Sequence, residues 1–126
     1  MQVIIYDRLM KEDYRSRCPI STTLELAGDR WTLVLVRDMI NGKEKYSEFL
    51  ASPERITTNI LADRLQKMEA NGLVLKTLYQ ERPKRYAYAL TPMGADLLDV
   101  AQAMSRWANK HVPGTWEPPV SFMRKR

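Results

Sequence analysis

Four polar side chains lie on one face of a predicted helix, where they could form hydrogen bonds with one partner. Between residues 57 and 71 the apolar residues Leu61, Leu65 and Met68 recur at i, i+4 and i+7, which predicts one buried stripe. The polar positions lie opposite that stripe or beside the helix N-terminus, and they are Thr58, Asn59, Asp63 and Gln66. Amide groups can pair with adenine, and a carboxylate can accept from the cytosine amino group. This face is a candidate for contacting base edges; the alternative is an ordinary solvated face.

Side chains suited to binding phosphate flank that helix on both sides. Arg55 and Thr57 precede it, and Arg82, Lys84 and Arg85 follow it. Such residues supply affinity and salt dependence but carry little sequence information. Their position beside the polar helix face predicts double-stranded DNA as the partner.

The elements that must position these residues are a helix and a hairpin. Thr57 can cap the helix, and Asn71-Gly72 should end it because glycine adopts the left-handed conformation without strain. Residues 73–80 and 85–90 then read as two strands around a turn-forming tip at 81–84. A polar helix followed at once by a basic-tipped hairpin predicts a winged helix-turn-helix, mainly α with a small β-hairpin wing.

The chain resembles the HxlR-type transcriptional regulators, which are related to the MarR group. The motifs that carry the resemblance are Cys18-Pro19, Gly28-Asp29-Arg30-Trp31, the run from Ile56 through Leu61 and Leu65, Glu69-Ala70-Asn71-Gly72-Leu73-Val74, Pro83 with Arg85, and Tyr88-Ala89-Leu90-Thr91-Pro92-Met93-Gly94. The resemblance covers about residues 18–110 and implies a dimeric prokaryotic repressor or activator. It also implies a wing role for Arg85. Asp63 departs from the uncharged polar residue common in the family, so an ion pair with Arg55 or Lys67 is the alternative there.

Predicted elements before the reading helix serve as its scaffold. Pro19 suits the first turn of a helix, where its missing N–H group has no cost. Trp31 begins a helix that is apolar around most of its circumference, so we interpret it as core rather than as a ligand-stacking residue. The predicted elements are helices over residues 19–27, 31–40 and 46–50, a turn over 52–55, and a short additional wing strand over 43–45.

A regular apolar seam marks the last predicted helix, residues 91–110. Its members are spaced alternately by four and three residues, and they are Met93, Leu97, Val100, Met104, Trp107 and His111. The first five are predicted to form a homodimer interface, although packing within one protomer is the alternative. A two-fold dimer would present two reading helices to a pseudo-palindromic DNA site.

The two ends of the chain differ from the central domain, predicted at residues 18–110. Residues 1–17 are predicted to form an arm that packs on a second subunit, or else a frayed start. Residues 111–126 are rich in proline, end in three basic residues, and depart from the usual ending of the family. This tail is predicted to be disordered; alternatively, it wraps the partner subunit through Trp116 and Phe122, or it contacts phosphate.

Cys18 is the only cysteine, and it precedes a predicted helix start. Arg15, Arg17 and the helix N-terminus favour its thiolate, so Cys18 is a candidate redox or electrophile sensor. The resemblance implies the same role, because several family members use a cysteine before this proline. The alternative is a packed, inert thiol. A small-molecule effector is a further candidate signal.

Composition sets the remaining bounds. The 126 residues suit one domain, and the formal charge of +5 is concentrated in residues 53–90 and 110–126, which carry +3 each. A single cysteine and the absence of a long apolar run predict a cytoplasmic protein without a membrane segment. One histidine and one cysteine cannot form a usual zinc site, so we expect no metal and no cofactor. The sequence contains no catalytic motif and predicts a protein that is not an enzyme; the alternative function is a winged-helix module for protein–protein contact.

Overall fold

The computed structural model describes residues 14–126, which form seven helices and one β-hairpin. The helices are α1 (Pro19–Ala27), α2 (Thr32–Ile40), α3 (Tyr46–Leu50), α4 (Thr58–Ala70), α5 (Pro92–Ala95), α6 (Leu97–His111) and α7 (Val120–Met123), and the strands are β1 (Val74–Glu81) and β2 (Lys84–Leu90). This is the winged helix-turn-helix that the sequence predicted. Residues 1–13 of the predicted arm lie outside the described residues.

One apolar core holds the helix-turn-helix together. Its most deeply buried side chains come from four elements and are Leu35, Val36, Phe49, Leu61, Leu65, Met68 and Val74. The predicted stripe of α4 therefore faces inward. Ile56, just before α4, is buried in the same cluster as Leu61, which matches a hydrophobic staple that sets the entry angle of the helix.

The wing is an antiparallel pair that projects from this core. Val74 pairs with Leu90 at its base and Glu81 with Lys84 at its tip, so only Arg82 and Pro83 form the connection. A bulge between Leu78 and Gln80 interrupts the register. Residues 43–45 were predicted to add a strand to the wing, which is wrong. Their backbone contact with the wing is the hydrogen bond from the Tyr88 N–H to the Glu44 carbonyl at 2.8 Å, and α3 begins directly after Lys45.

The final helix was predicted to be continuous over residues 91–110, but the structure divides it into α5 and α6. α5 ends at Ala95, and α6 starts at Leu97 after a break at Asp96. Thr91 caps α5, since its hydroxyl accepts from the Gly94 N–H at 3.1 Å and also donates to the Gly72 carbonyl at 2.6 Å. The short helix α5 is thereby tied to the base of the wing, and α6 then packs across α2.

The C-terminal segment folds back along α6. Gly114 has φ 86°, a conformation that glycine adopts readily, and the chain reverses there. Phe122 on α7 is buried against Leu98 and Ala101 of α6. The prediction of a disordered tail is therefore wrong, because this aromatic side chain docks within its own protomer.

Candidate nucleic-acid interface

The predicted base-contacting residues share the exposed side of α4. Thr58, Asn59, Asp63 and Gln66 are all exposed, whereas the opposite side of the helix is buried. Thr57 caps the helix, because its hydroxyl accepts from the Ile60 N–H at 3.4 Å. That bond occupies the oxygen as an acceptor, while the hydroxyl proton remains able to donate to phosphate.

Asp63 is held in ion pairs rather than left free. Its carboxylate lies 2.7 Å from the Arg64 guanidinium and 3.3 Å from the Lys67 ammonium. The hydrogen bond from Arg64 is the main reason that the pKa of Asp63 lies below its usual value. Of the two alternatives suggested by the sequence, the pair with Lys67 is present, and Arg55 is not among the ion-pair partners of Asp63 in the described chain. A base contact by Asp63 must therefore compete with these cations.

Arg64 is a residue that the sequence analysis missed. It also lies 3.3 Å from Asp29 in the turn before α2, whose carboxylate accepts from the N–H groups of Trp31 and Thr32 at 2.9 and 3.0 Å. Partial burial opposes ionisation of Asp29, but these hydrogen bonds and Arg64 outweigh it, and the pKa of Asp29 is lowered. Arg64 thus fixes α4 to the start of α2. An aspartate just before a helix can accept from the first N–H groups of that helix. The position of Asp29 could therefore have suggested its contact with the start of α2, but not its contact with Arg64.

The turn before the reading helix is held by a polar network. Arg37 on α2 binds Glu54 at 2.6 and 2.8 Å and Asp38 at 2.8 Å, and the hydroxyl of Ser52 donates to Asp38 at 2.6 Å. Asp38 and Ser52 are buried. The hydrogen bond from Arg37 lowers the pKa of Glu54. Because Ser52 and Glu54 belong to the turn, this network sets where α4 begins.

The predicted phosphate-contacting residues surround the exposed side of α4 and the wing. Arg55 is exposed in the turn, with φ 60°, and Arg82, Lys84 and Arg85 are exposed at the hairpin tip. The structure adds two cations that the sequence did not single out, since Lys45 lies 4.5 Å from the Tyr79 ring centroid and Lys76 lies 4.6 Å from that of Tyr86. The exposed face of α4 therefore presents hydrogen-bonding groups, and the turn before it and the wing after it present positive charge.

Cys18 is exposed at the start of α1, so the packed-thiol alternative does not hold in this protomer. The backbone N–H groups of Ser21 and Ile20, at the start of α1, lower the pKa of Cys18. The sequence suggested two causes for a lowered pKa, the neighbouring arginines and the helix N-terminus, and the second of these acts here. Arg15 instead interacts with Glu25, from its backbone N–H at 3.3 Å and its side chain at 4.0 Å.

The predicted dimer seam divides into two parts. Met93 and Leu97 pack against the main core of their own protomer, and Val100 is half-buried. Met104 and Trp107 are 53% and 63% exposed. Two apolar residues of α1, Ile20 and Leu24, are exposed as well. Leu97, Met104 and Trp107 all lie on α6, so the division arises because the start of this helix packs on the protomer core, whereas Met104 and Trp107 farther along it do not.

The fold and this surface define a winged helix-turn-helix protein, and comparisons with known proteins identify the family. The family described as HxlR-like helix-turn-helix matches residues 26–115. The HTH-type transcriptional regulator YdeP of Bacillus subtilis (strain 168) is 32% identical over 94 residues, which cover 75% of this chain and 73% of YdeP. The chain belongs to the HxlR-like helix-turn-helix family, as the resemblance predicted, and is a transcriptional regulator rather than an enzyme.

Solved structures agree with this assignment. The redox regulator HypR in its reduced form has a TM-score of 0.70 and 30% identity, covering 76% of this chain and 95% of HypR. Its oxidised form has a TM-score of 0.67 and 32% identity, covering 75% and 97%. The reduced transcriptional regulator YodB from B. subtilis has a TM-score of 0.64 and 27% identity, covering 80% of this chain and 100% of YodB.

Residues 14–126 offer neither a transmembrane helix nor a cluster of metal ligands. Every helix there is too short or too polar to span a bilayer. The same residues contain no group of three or more His, Cys, Asp or Glu side chains placed to hold a metal ion.

Proposed function

We propose that the protein is a cytoplasmic homodimer that binds a pseudo-palindromic site on double-stranded DNA and thereby regulates transcription. The observation that carries this proposal is the capped helix α4, which presents Thr58, Asn59 and Gln66 beside a wing tipped by Arg82, Lys84 and Arg85. The polar groups suit base edges and the cations suit phosphate. The second candidate, a winged helix for protein–protein contact, is disfavoured by the basic wing and predicts no salt-dependent binding to random duplex DNA.

Substitutions on the helix and on the wing should separate two kinds of DNA contact. Gln66→Ala should weaken binding to the preferred site by roughly 1–3 kcal/mol and affect random duplexes much less, because it removes a base contact. Arg85→Ala should weaken both and make the salt slope shallower by about one unit per lost phosphate contact. Fluorescence anisotropy titrations over a range of salt measure both effects, after the preferred site is selected from random duplexes. Equal losses on both DNAs for Gln66→Ala would contradict the assignment of the reading face.

The dimer is proposed to form through α6 and α1. The exposed apolar side chains Met104 and Trp107 on α6, with Ile20 and Leu24 on α1, support this arrangement, since such residues are rarely left in water together. Met93, Leu97 and Val100 would then set the position of α6 from within the protomer. The ring of His111 lies 5.2 Å from that of Trp107, tilted by 43°, and extends the aromatic part of the surface.

Cys18 is proposed to sense oxidants or electrophiles. Support comes from its exposure, from the N–H groups that stabilise its thiolate, and from the similarity to the redox regulator HypR. A modified Cys18 would add bulk at the start of α1. Because α1 is proposed to contact the other subunit, such bulk would change the spacing of the two reading helices.

A quinone should modify Cys18 and reduce DNA affinity. The thiolate sulfur adds to a ring carbon of 1,4-benzoquinone, and no group leaves. Because the pKa of Cys18 is lowered, the rate of modification should reach half its maximum at a lower pH than for a free cysteine under the same conditions. Intact-mass measurements against pH follow the reaction, and DNA titrations before and after treatment follow its effect. Cys18→Ser should bind DNA, and its DNA affinity should not change on treatment with the quinone. A response that persists in this variant would contradict the sensing role.

A further inference from the structure

A cleft lies between α2, α6 and the C-terminal segment, with a volume of about 840 Å³. This volume falls in the range of small-molecule pockets, roughly 300–1,000 Å³. Its apolar walls are built from both helices and from the tail, and they include Leu33, Val34, Met104, Ala108 and Phe122. Leu33 and Val34 face this cleft rather than the main core, which explains why α2 is apolar around most of its circumference.

Residues 116–119 form the outer wall of the cleft, which we call the strap. Hydrogen bonds at its two ends hold it away from the cleft floor. At one end, the Asn109 amide donates to the Thr115 hydroxyl at 2.9 Å and to the Trp116 carbonyl at 3.0 Å. At the other end, the buried Gln102 amide donates to the carbonyls of Phe122 and Arg124, both at 2.9 Å. Residues 116–119 span the interval and finish in two prolines, whose fixed backbone angle resists collapse into the cleft. The strap lies beyond the residues matched by the family, 26–115.

The charged and aromatic side chains that line the cleft indicate which class of small molecule it can bind. The two cations in the lining, Arg37 and Lys43, belong to the turn network: Arg37 is paired with Asp38 and Glu54, and the Lys43 ammonium donates to Ser52 at 2.7 Å. The electric field of Lys43 also reaches Glu54. Within residues 14–126, Glu117 on the strap takes part in no ion pair or hydrogen bond, so its carboxylate remains available to pair with a ligand cation.

Beside Glu117 stands Trp116, which is 78% exposed although it lines the cleft. An indole ring is the best aromatic partner for a cation, and the methionine sulfur of Met104 is polarizable and adapts to flat apolar groups. We propose that this cleft binds an apolar organic cation that carries aromatic rings, with Trp116 and Glu117 as its recognition residues.

The cleft floor connects such a ligand to the reading helix. Arg37, Asp38 and Lys43 line it, and the same residues hold Ser52 and Glu54 in the turn before α4. A ligand that contacts this network favours one position of the turn, and so alters the affinity for DNA. This second half of the proposal rests on the proposed function, whereas binding of the cation does not.

Titration calorimetry with tetraphenylphosphonium and the full-length protein tests the site without DNA. We expect saturable binding of one cation per protomer, and no comparable binding of tetraphenylborate, which has the same shape and the opposite charge. Trp116→Ala and Glu117→Gln should each weaken binding about tenfold. Both side chains are exposed, so neither substitution should prevent folding.

The control variants are Leu75→Ala and Glu81→Gln, which change an exposed apolar residue of β1 and an exposed glutamate, both outside the cleft lining. They should bind the cation as the native protein does. The proposed site is overturned if the cation does not saturate, if the borate binds equally well, or if the strap variants behave like the controls.

A second measurement tests the coupling. Saturating tetraphenylphosphonium should change the affinity for the selected DNA site about fivefold or more, and this change should disappear in Trp116→Ala. Unchanged DNA affinity with a normal cation titration overturns the regulatory half alone. Failure to select any DNA site would instead refute the proposed function, and the cation titration would be unaffected by that result.

Discussion

Replacing Met104 and Trp107 together with glutamate should convert the protein to monomers and abolish tight DNA binding. Both side chains are more than half exposed in the protomer, so the charges should not disturb its core. In a dimer, however, each charge would be buried against an apolar surface, which is strongly unfavourable. A monomer binds only one half-site, so the gain from linking two half-sites is lost, and the affinity for DNA should fall by about 10²- to 10⁴-fold.

Sedimentation equilibrium at micromolar concentration measures the first effect, and a DNA titration measures the second. Val120→Glu is the matched control, since Val120 is another apolar residue that is highly exposed, but lies on α7. It should remain dimeric. A native chain that sediments as a monomer, or a double variant that remains dimeric, would contradict the proposed interface.

Asp38→Ala should destabilise the protein by about 2–4 kcal/mol. The Asp38 carboxylate is buried and accepts from Ser52 and Arg37, so its removal leaves the buried Ser52 hydroxyl without its acceptor and takes away one of the two carboxylate partners of Arg37. The turn before α4 would also lose its attachment to α2. DNA affinity should therefore fall by more than the increase in unfolded protein accounts for.

Urea denaturation followed by circular dichroism gives the free energy of unfolding, and DNA titration of the folded variant gives the second effect. Asp99→Ala is the control, because Asp99 is exposed on the first turn of α6. Its loss should cost less than about 1 kcal/mol, from the helix dipole. Similar stabilities for the two variants would show that the polar network does not hold the turn.

Features that depend on neighbours a few residues apart could be predicted from the sequence. The stripe Leu61, Leu65, Met68 and the cap at Thr57 specify which side of α4 is buried, because both arise within one or two helical turns. The hairpin was predicted for the same reason; β1 begins and ends one residue later than predicted, and β2 begins one residue earlier. The exposed polar face and the basic wing followed from these elements without further information.

Contacts across the chain could not be predicted in the same way. Nothing near Arg64 in the sequence indicates Asp29, and nothing near Asp38 indicates that Ser52 donates to it. Both arrangements depend on where α2 crosses the helix-turn-helix. Sequence spacing constrains side chains only on their own element, whereas these partners lie 35 and 14 residues away.

The last helix and the tail show the same division most clearly. By itself, the sequence determined a regular apolar spacing from Met93 to Trp107 and an aromatic, proline-rich ending. Only the tertiary structure decided that Met93 and Leu97 face the protomer core and that Phe122 docks on α6. Periodicity identifies which residues avoid water, but the surface that covers them is set by the path of α6 over the protomer core and by the course of the returning chain.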